Sequence, residues 1–329
     1  TPTPKAATDQ TAVSLGKYGG VINMQQYAGV RQRGIYQSSI TVMNQAPLLS
    51  MLVTYDPTTP DQTDITCDLC TSWDLADDGV TYTFRLDPAA KWHDGTPVTA
   101  RDVVFSFDAM VNPDQFEILK GRSTSSTIYA GLYYESGNAR EIDTLTAEVV
   151  TMFPSAAFIA AIAVETAPVM SYKAVMEDGI VQGVFDFEGL MGSGPFNFVE
   201  ETKDVSVTYE RWDDYWKPGL PYLDGLKHFI ITDPGRAIAA YKTGQILTTN
   251  WISNLTPKEA RKLDEEMDNL TVHWGGPTGG LHIHMNTSKA PFDDWRVRQA
   301  VQLAIHRQPI IQTTSGGSDA MGYGIPEGF

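Results

Sequence analysis

The chain has 329 residues, with 24 Lys and Arg against 40 Asp and Glu, a net charge of −16. That balance argues against a nucleic-acid binder, whose contact faces are basic. The longest apolar run, AAFIAAIAV at 156–164, falls well short of the ~20 residues of a spanning helix, and the length suits two domains of ~100–200 residues each.

In chain order, TPTPKAATDQTA is rich in Pro, Thr and Ala and reads as part of an extended tether over residues 1–14. KYGGVINM sets Gly19 and Gly20 before a short apolar strand. The only two cysteines, Cys67 and Cys70, lie in TCDLCTSW. Zinc would need two further ligands nearby, and there is no second CxxC. A thioredoxin-like motif would open a helix, whereas Asp68 and the polar flanks indicate a loop. Outside the cytosol two thiols this close are expected to form a small disulfide, with free thiols as the alternative.

SWDLADDGVTYTFRLD alternates, with Tyr82, Phe84 and Leu86 on one side and Thr81, Thr83 and Arg85 on the other, the period of a half-buried strand. The DDG before it is a hairpin turn, and HDG repeats the device at Gly95. Thr99 stands three residues before Asp102 as a capping box, followed by Val103, Val104, Phe107, Met110 and Val111 at helical spacing; the helix should stop at Asn112-Pro113. Residues 141–153 read as a strand pair, and 155–179 as one or two short helices broken by Pro168. GSGPFNFVEE turns into a strand, VSVTYERWDDYW continues the alternation, and KHFIITD reads as a buried strand. PGRAIAAYKTGQI is a helix ended by Gly244, and TPKEARKLDEEM a surface helix capped by Thr256 with Pro257 in its first turn. TVHWGG and LHIHMNTS read as strands, and DDWRVRQAVQLAIHRQ as a last helix stopped by Pro309. Strands alternating with helices imply a mixed α/β architecture.

Candidate chemistry is sparse. His93 and Asp94 are adjacent, so in an extended segment they face opposite ways and do not make a general-base pair. His282 and His284 share a strand face and are weak metal candidates with His273 or a carboxylate; the alternative is a strand edge carrying two imidazoles. There is no GxSxG, GxxxxGK[ST], GxGxxG or HExxH, and no marked carboxylate pair, which argues against an enzyme. Trp212, Tyr215 and Trp216 cluster, while Trp251 and Trp274 lie in loops where they can wall a ligand cleft. Residues 46–184 hold 7 basic against 20 acidic side chains, a balance of −13. A solvated surface explains it, and an acidic docking face is the alternative.

Four segments occur in order: SWDLADDGVTYTFRLDPAAKWHDGTPVTARDVVFSF, GSGPFNFVE, RWDDYWKPGLPYLDGLKHFIITDPGRAIAAYKTGQI and NTSKAPFDDWRVRQAVQLAIHRQPII. Together they make residues 15–329 resemble the family 5 extracellular solute-binding proteins of ABC transporters, the oligopeptide-, dipeptide- and nickel-binding group. The resemblance implies an α/β, periplasmic-binding-protein-like two-lobe fold of type II. Lobe I would comprise 15–45 and 186–275, an inserted subdomain 46–185, and the beginning of lobe II 276–329. It implies a non-enzymatic receptor without cofactor, monomeric, periplasmic or at the cell surface. Such a receptor closes on a peptide or other small polar solute and delivers it to an ABC permease in the membrane. Tyr27, Ser193, Trp251, Trp274 and Asn286 are the expected ligand-facing residues, with Asn286 near the hinge, and the Gly192–Gly194 backbone able to approach ligand closely. The tether points to a lipid anchor on a cysteine just upstream.

There are departures from the family pattern. Members are considerably longer, no acidic residue follows TGQ, and AIHR carries His306 where Asp is usual. The family's acidic anchor for a peptide amino group has no counterpart in these residues. The expectation is that the 329 residues are part of a longer chain. The alternative is a naturally short relative serving as a structural or accessory subunit that binds a protein partner.

Overall fold

The computed structural model describes residues 17–26, 45–59, 63–120, 133–179, 191–249, 255–272 and 283–314. By internal packing the chain divides into two units, residues 1–231 with 246–252, and residues 232–245 with 253–329. In the first, the strands are β1 (Val21–Gln26), β2 (Val53–Tyr55), β3 (Ile65–Cys67), β4 (Cys70–Leu75), β5 (Thr81–Leu86), β6 (Tyr134–Asp143), β7 (Thr146–Thr151), β8 (Phe196–Thr202), β9 (Ser206–Arg211), β10 (Gly225–Ile230) and β11 (Thr248–Thr249). They form a five-stranded sheet of order β11-β1-β10-β9-β8, a four-stranded sheet β4-β5-β7-β6, and the pair β2-β3. In the five-stranded sheet β1 runs parallel to both β10 and β11, while β9 and β8 complete it antiparallel.

Local chemistry explains the elements. The β4-β5 hairpin turns at Gly79, whose φ of +73° suits glycine, and the Asp78 carboxylate accepts the Val80 and Thr81 N–H groups. Tyr82, Phe84 and Leu86 point inward from β5, and Ala147, Val149 and Thr151 from β7, the alternation of a sheet covered on one face. Helix α1 (Ala100–Val111) starts at a capping box, in which the Asp102 carboxylate accepts the Thr99 N–H and hydroxyl. Its buried face is wider than the apolar stripe predicts. Asp102, Phe105 and Ser106 are buried with Val103, Phe107 and Met110, whereas Val104 and Val111 are half-buried. The extra face is covered from the opposite side, where the Phe105 ring meets Phe116 and Tyr172 edge-on at 5.0 and 5.5 Å. The core thus runs continuously through Phe84, Trp92, Val103, Phe107, Val149 and Phe158. Helix α2 (Ala157–Ile162) and a π-helical turn at Lys173–Glu177 flank the Pro168 region.

In the second unit, α3 (Pro234–Lys242) is capped by Asp233, whose carboxylate accepts the Arg236 N–H at 2.7 Å. Gly244, with φ +70°, follows its end. Helix α4 (Pro257–Glu266) opens on a capping box between Thr256 and Glu259. The last helical segment differs from expectation. It is two helices, α5 (Trp295–Ala304) and α6 (Arg307–Thr314), and Pro309 lies inside the second rather than ending the first. Pro309 is the third residue of α6, where the N–H it lacks would have no intrahelical partner. The strands expected around 271–274 and 281–288 are also corrected where they are described. Residues 271–272 and 283–286 have no strand pairing, and 287–294 form turns.

Candidate functional site

Three parallel strands, β11, β1 and β10, end at one edge of the five-stranded sheet. Register places Gln25 opposite both Phe229 and Thr249. The chain passes from β10 through α3 to β11 on the far side of β1, so consecutive strands of the chain flank β1. Solutes bind open α/β sheets at such carboxyl edges, where strand order switches. The edge is tied together by polar groups. Gln25 is fully buried in mid-sheet, and its side-chain amide donates to the Ile231 carbonyl at 3.1 Å. The Ile231 N–H donates to the Gln26 carbonyl at 3.0 Å. Two consecutive glutamines closing an apolar strand mark this edge, a signal the hydrophobic pattern alone passes over. Tyr27 follows β1 in the chain and Trp251 comes two residues after β11. Both lie outside the described residues, as do Trp274, His273 and His282.

A second group of predicted residues gathers at residues 192–194 in the same unit. Ser193 is fully buried, and its carbonyl accepts both the Trp216 indole N–H at 3.0 Å and the Ser50 hydroxyl at 3.3 Å. Among the described residues its hydroxyl has no hydrogen-bond partner. Gly194 donates its N–H to the Leu48 carbonyl at 3.0 Å. A side chain on Gly192 would sit 1.8 Å from the Leu48 oxygen and 2.8 Å from the His93 ring. The glycines here permit close approach of one protein backbone to another, and Ser193 is enclosed by protein as part of that frame.

His93 belongs to the same frame. Its N–H donates to the Gly192 carbonyl at 2.9 Å, and its Nε2 lies 3.0 Å from the Gly194 carbonyl. A carbonyl only accepts, so Nε2 carries the proton. The ring meets Trp212 edge-on at 4.8 Å, and burial holds the imidazole below its ordinary pKa against the pull of the Gly194 carbonyl and of Asp94. The Asp94 carboxylate accepts instead from Thr96 and faces Lys173 at 3.7 Å. The two residues do not form a catalytic pair.

Asn286 is exposed; its side-chain oxygen accepts the Ser288 N–H at 3.0 Å and its carbonyl the Lys289 N–H at 3.2 Å, an Asx turn leading toward α5. His284 is exposed in a segment without strand pairing. Among the described residues no group of three or more His, Cys, Asp or Glu side chains is placed to hold a metal. Cys67 and Cys70 are joined in a disulfide, with Cα atoms 5.1 Å apart.

Residues 64–329 match the model of the middle region of the bacterial extracellular solute-binding proteins, family 5. The chain is 30% identical over 249 residues to the glutathione-binding protein GsiB of Pectobacterium atrosepticum, covering 76% of this chain and 45% of that protein. It is 27% identical over 285 residues to the dipeptide-binding protein of Escherichia coli, covering 84% and 51%. The chain therefore spans about half the length of the relatives it matches. Among solved structures, the periplasmic binding protein DppA of Helicobacter pylori in complex with the peptide STSA superposes with a TM-score of 0.73 at 23% identity, covering 93% of this chain and 60% of that one. The fold is thus the mixed α/β fold of periplasmic binding proteins, and the chain belongs to the bacterial extracellular solute-binding proteins of family 5.

Proposed function

We propose that this chain is the ligand-capturing part of an extracytoplasmic receptor that binds short peptides and delivers them to an ABC permease. The observation that carries this reading is the family match over residues 64–329. Relatives named for glutathione and dipeptides, and a similar structure holding a tetrapeptide, point to peptides as the solute class. The carboxyl ends of β11, β1 and β10 support it, because solutes bind open α/β sheets at that end of the strands. Tyr27, Trp251, Trp274 and Asn286 are the side chains we assign to ligand contact, and Ser193 to the protein frame of its own unit.

The test is a thermal-shift and calorimetric titration of the full-length protein against glutathione, dipeptides, tetrapeptides and single amino acids. A ligand at 100 times its Kd adds about 2.7 kcal/mol to stability, a rise in Tm that peptides should give and single amino acids should not. No stabilisation by any peptide, together with a protein partner that co-purifies in fixed ratio, would establish the accessory-subunit alternative instead.

A further inference from the structure

Only Asp68 and Leu69 separate the two cysteines, Cys67 at the end of β3 and Cys70 at the start of β4. This short link is committed to the neighbouring segment. Asp68 N–H donates to the Leu52 carbonyl at 3.0 Å, Leu69 N–H to Met51 at 3.0 Å and Cys70 N–H to Leu52 at 3.3 Å. In return the Met51 N–H donates to one oxygen of the Asp68 carboxylate at 2.8 Å. The other oxygen takes the Lys217 ammonium, 149 residues away in the chain. The Asp68 side chain is only 11% exposed, so water screens this pair less than it screens an open surface pair.

Lys217 directly follows Trp216, and its ammonium lies 4.9 Å from the centre of the Trp216 ring. The Trp216 indole N–H and the Ser50 hydroxyl meet on the Ser193 carbonyl, and Gly194 bonds to Leu48. Segment 48–52 is therefore stitched on one side to the cysteine link and on the other to residues 193–194. Asp68 bridges directly across to the Trp216-Lys217 loop. One carboxylate, fixed by a three-bond crosslink around it, ties the small β2-β3 pair and β4 to the loop that precedes β10.

We propose that the Cys67–Cys70 disulfide is a redox-sensitive clamp that holds Asp68 in reach of Lys217 and so fastens this seam. A dithiol reductant opens it. Its thiolate attacks Sγ of Cys67, which is half-buried, rather than that of the buried Cys70. A mixed disulfide forms as the Cys67–Cys70 bond breaks, and Cys70 leaves as a thiolate. The second thiol of the reductant gives up its proton, which Cys70 takes, and closes on the first sulfur, releasing the Cys67 thiolate. That thiolate recovers a proton from solvent. Two electrons have passed from the dithiol to the protein, and the reductant has become a cyclic disulfide. Without the crosslink the two thiols separate, the link relaxes, and the Asp68 carboxylate leaves Lys217 and Met51.

The test compares full-length protein, oxidised and treated with dithiothreitol, by amide exchange and mass spectrometry. Alkylation counts the thiols, and a gain of two confirms reduction. Exchange should quicken about tenfold in residues 48–52 and in 212–217, while β9 keeps its protection. The Cys67→Ser/Cys70→Ser double variant should reproduce this without reductant, which also decides the matter if the native disulfide resists the dithiol. In Lys217→Met the 212–217 segment should already be fast, and reduction should accelerate it no further. Faster exchange confined to residues 65–75, or an equal response to reduction with and without Lys217, would overturn the clamp. Peptide binding is not read in this experiment, so it stands or falls apart from the proposed receptor function.

Discussion

His228 lies on β10, buried, with its Nδ1 lacking a hydrogen-bond partner among the described residues and its ring 5.0 Å from Tyr209. Burial lowers its pKa from the ordinary 6.5 to about 4. The unfolded chain takes up the proton near pH 6.5, and the folded protein only near pH 4. The neutral side chain's stability contribution is therefore complete above pH 6.5 and is lost as pH falls toward 4. Over that window the loss approaches about 3 kcal/mol. Urea unfolding across pH 4–7 should show this slope, and His228→Leu should flatten most of it, leaving a remainder from His93, which burial also holds down. An unchanged slope in the variant would place the titration elsewhere. At residues 192–193 the frame gives opposite expectations for two neighbours. Gly192→Ala forces a methyl against the Leu48 oxygen and should cost about 3 kcal/mol or more. Ser193→Ala removes a buried hydroxyl that has no partner, so stability should hold or rise by about 1 kcal/mol. A loss above 1 kcal/mol in Ser193→Ala would show that the hydroxyl is bonded after all.

Helix α1 shows at the scale of an element why some of this fold was legible in the sequence. Its start is local: Thr99 and Asp102 are three residues apart, and the capping box forms where the spacing predicts. The β4-β5 hairpin is local too, set by Asp78 and Gly79. Asp102 does more than the spacing reveals. Its second oxygen accepts the Tyr172 N–H at 2.7 Å, 70 residues on, and burial pushes its carboxyl above the ordinary value despite these donors. Thr99→Ala should therefore cost about 1 kcal/mol, the usual loss of a cap. Asp102→Ala should cost about 3 kcal/mol, because it leaves the Thr99 and Tyr172 N–H groups without their acceptor. Equal urea midpoints for the two variants would show that the link to Tyr172 contributes nothing. The same distinction governs the candidate site. The GSG motif was visible, but that its glycines admit the Leu48 backbone rather than a solute depends on contacts over 140 residues apart, which no periodicity encodes. The Asp68–Lys217 pair was hidden for the same reason. Pro309 misled because a helix-stopping residue is also welcome in the first turn of the next helix.

Charge acts on the molecule as a whole. The net −16 is concentrated, with −13 of it in residues 46–184. Several ion pairs of that region are exposed, among them Arg101–Glu177 at 3.3 Å and Lys173–Asp178 at 3.0 Å. Salt weakens both the repulsion among excess carboxylates and these attractions, so range decides the sign. Raising ionic strength from 0.01 to 0.15 M shortens the screening length from about 30 to about 8 Å. Repulsion between carboxylates spread over the surface acts across that interval and is largely removed. Pairs in contact near 3 Å remain well inside even the shorter length, and each exposed pair is worth only about 0–1 kcal/mol. Sodium chloride should therefore stabilise the protein, and a gain of about 1 kcal/mol would raise Tm by about 1–2 °C in a chain of 329 residues. Asp77 stands exposed in the β4-β5 turn, and Asp77→Lys should raise Tm at 0.01 M salt while narrowing the gap to 0.15 M, because it removes part of the excess that salt screens. A Tm that falls with salt in the parent protein would mean that the exposed pairs outweigh the excess. The acidic surface of residues 46–184 would then be held together by its cations rather than strained by its carboxylates.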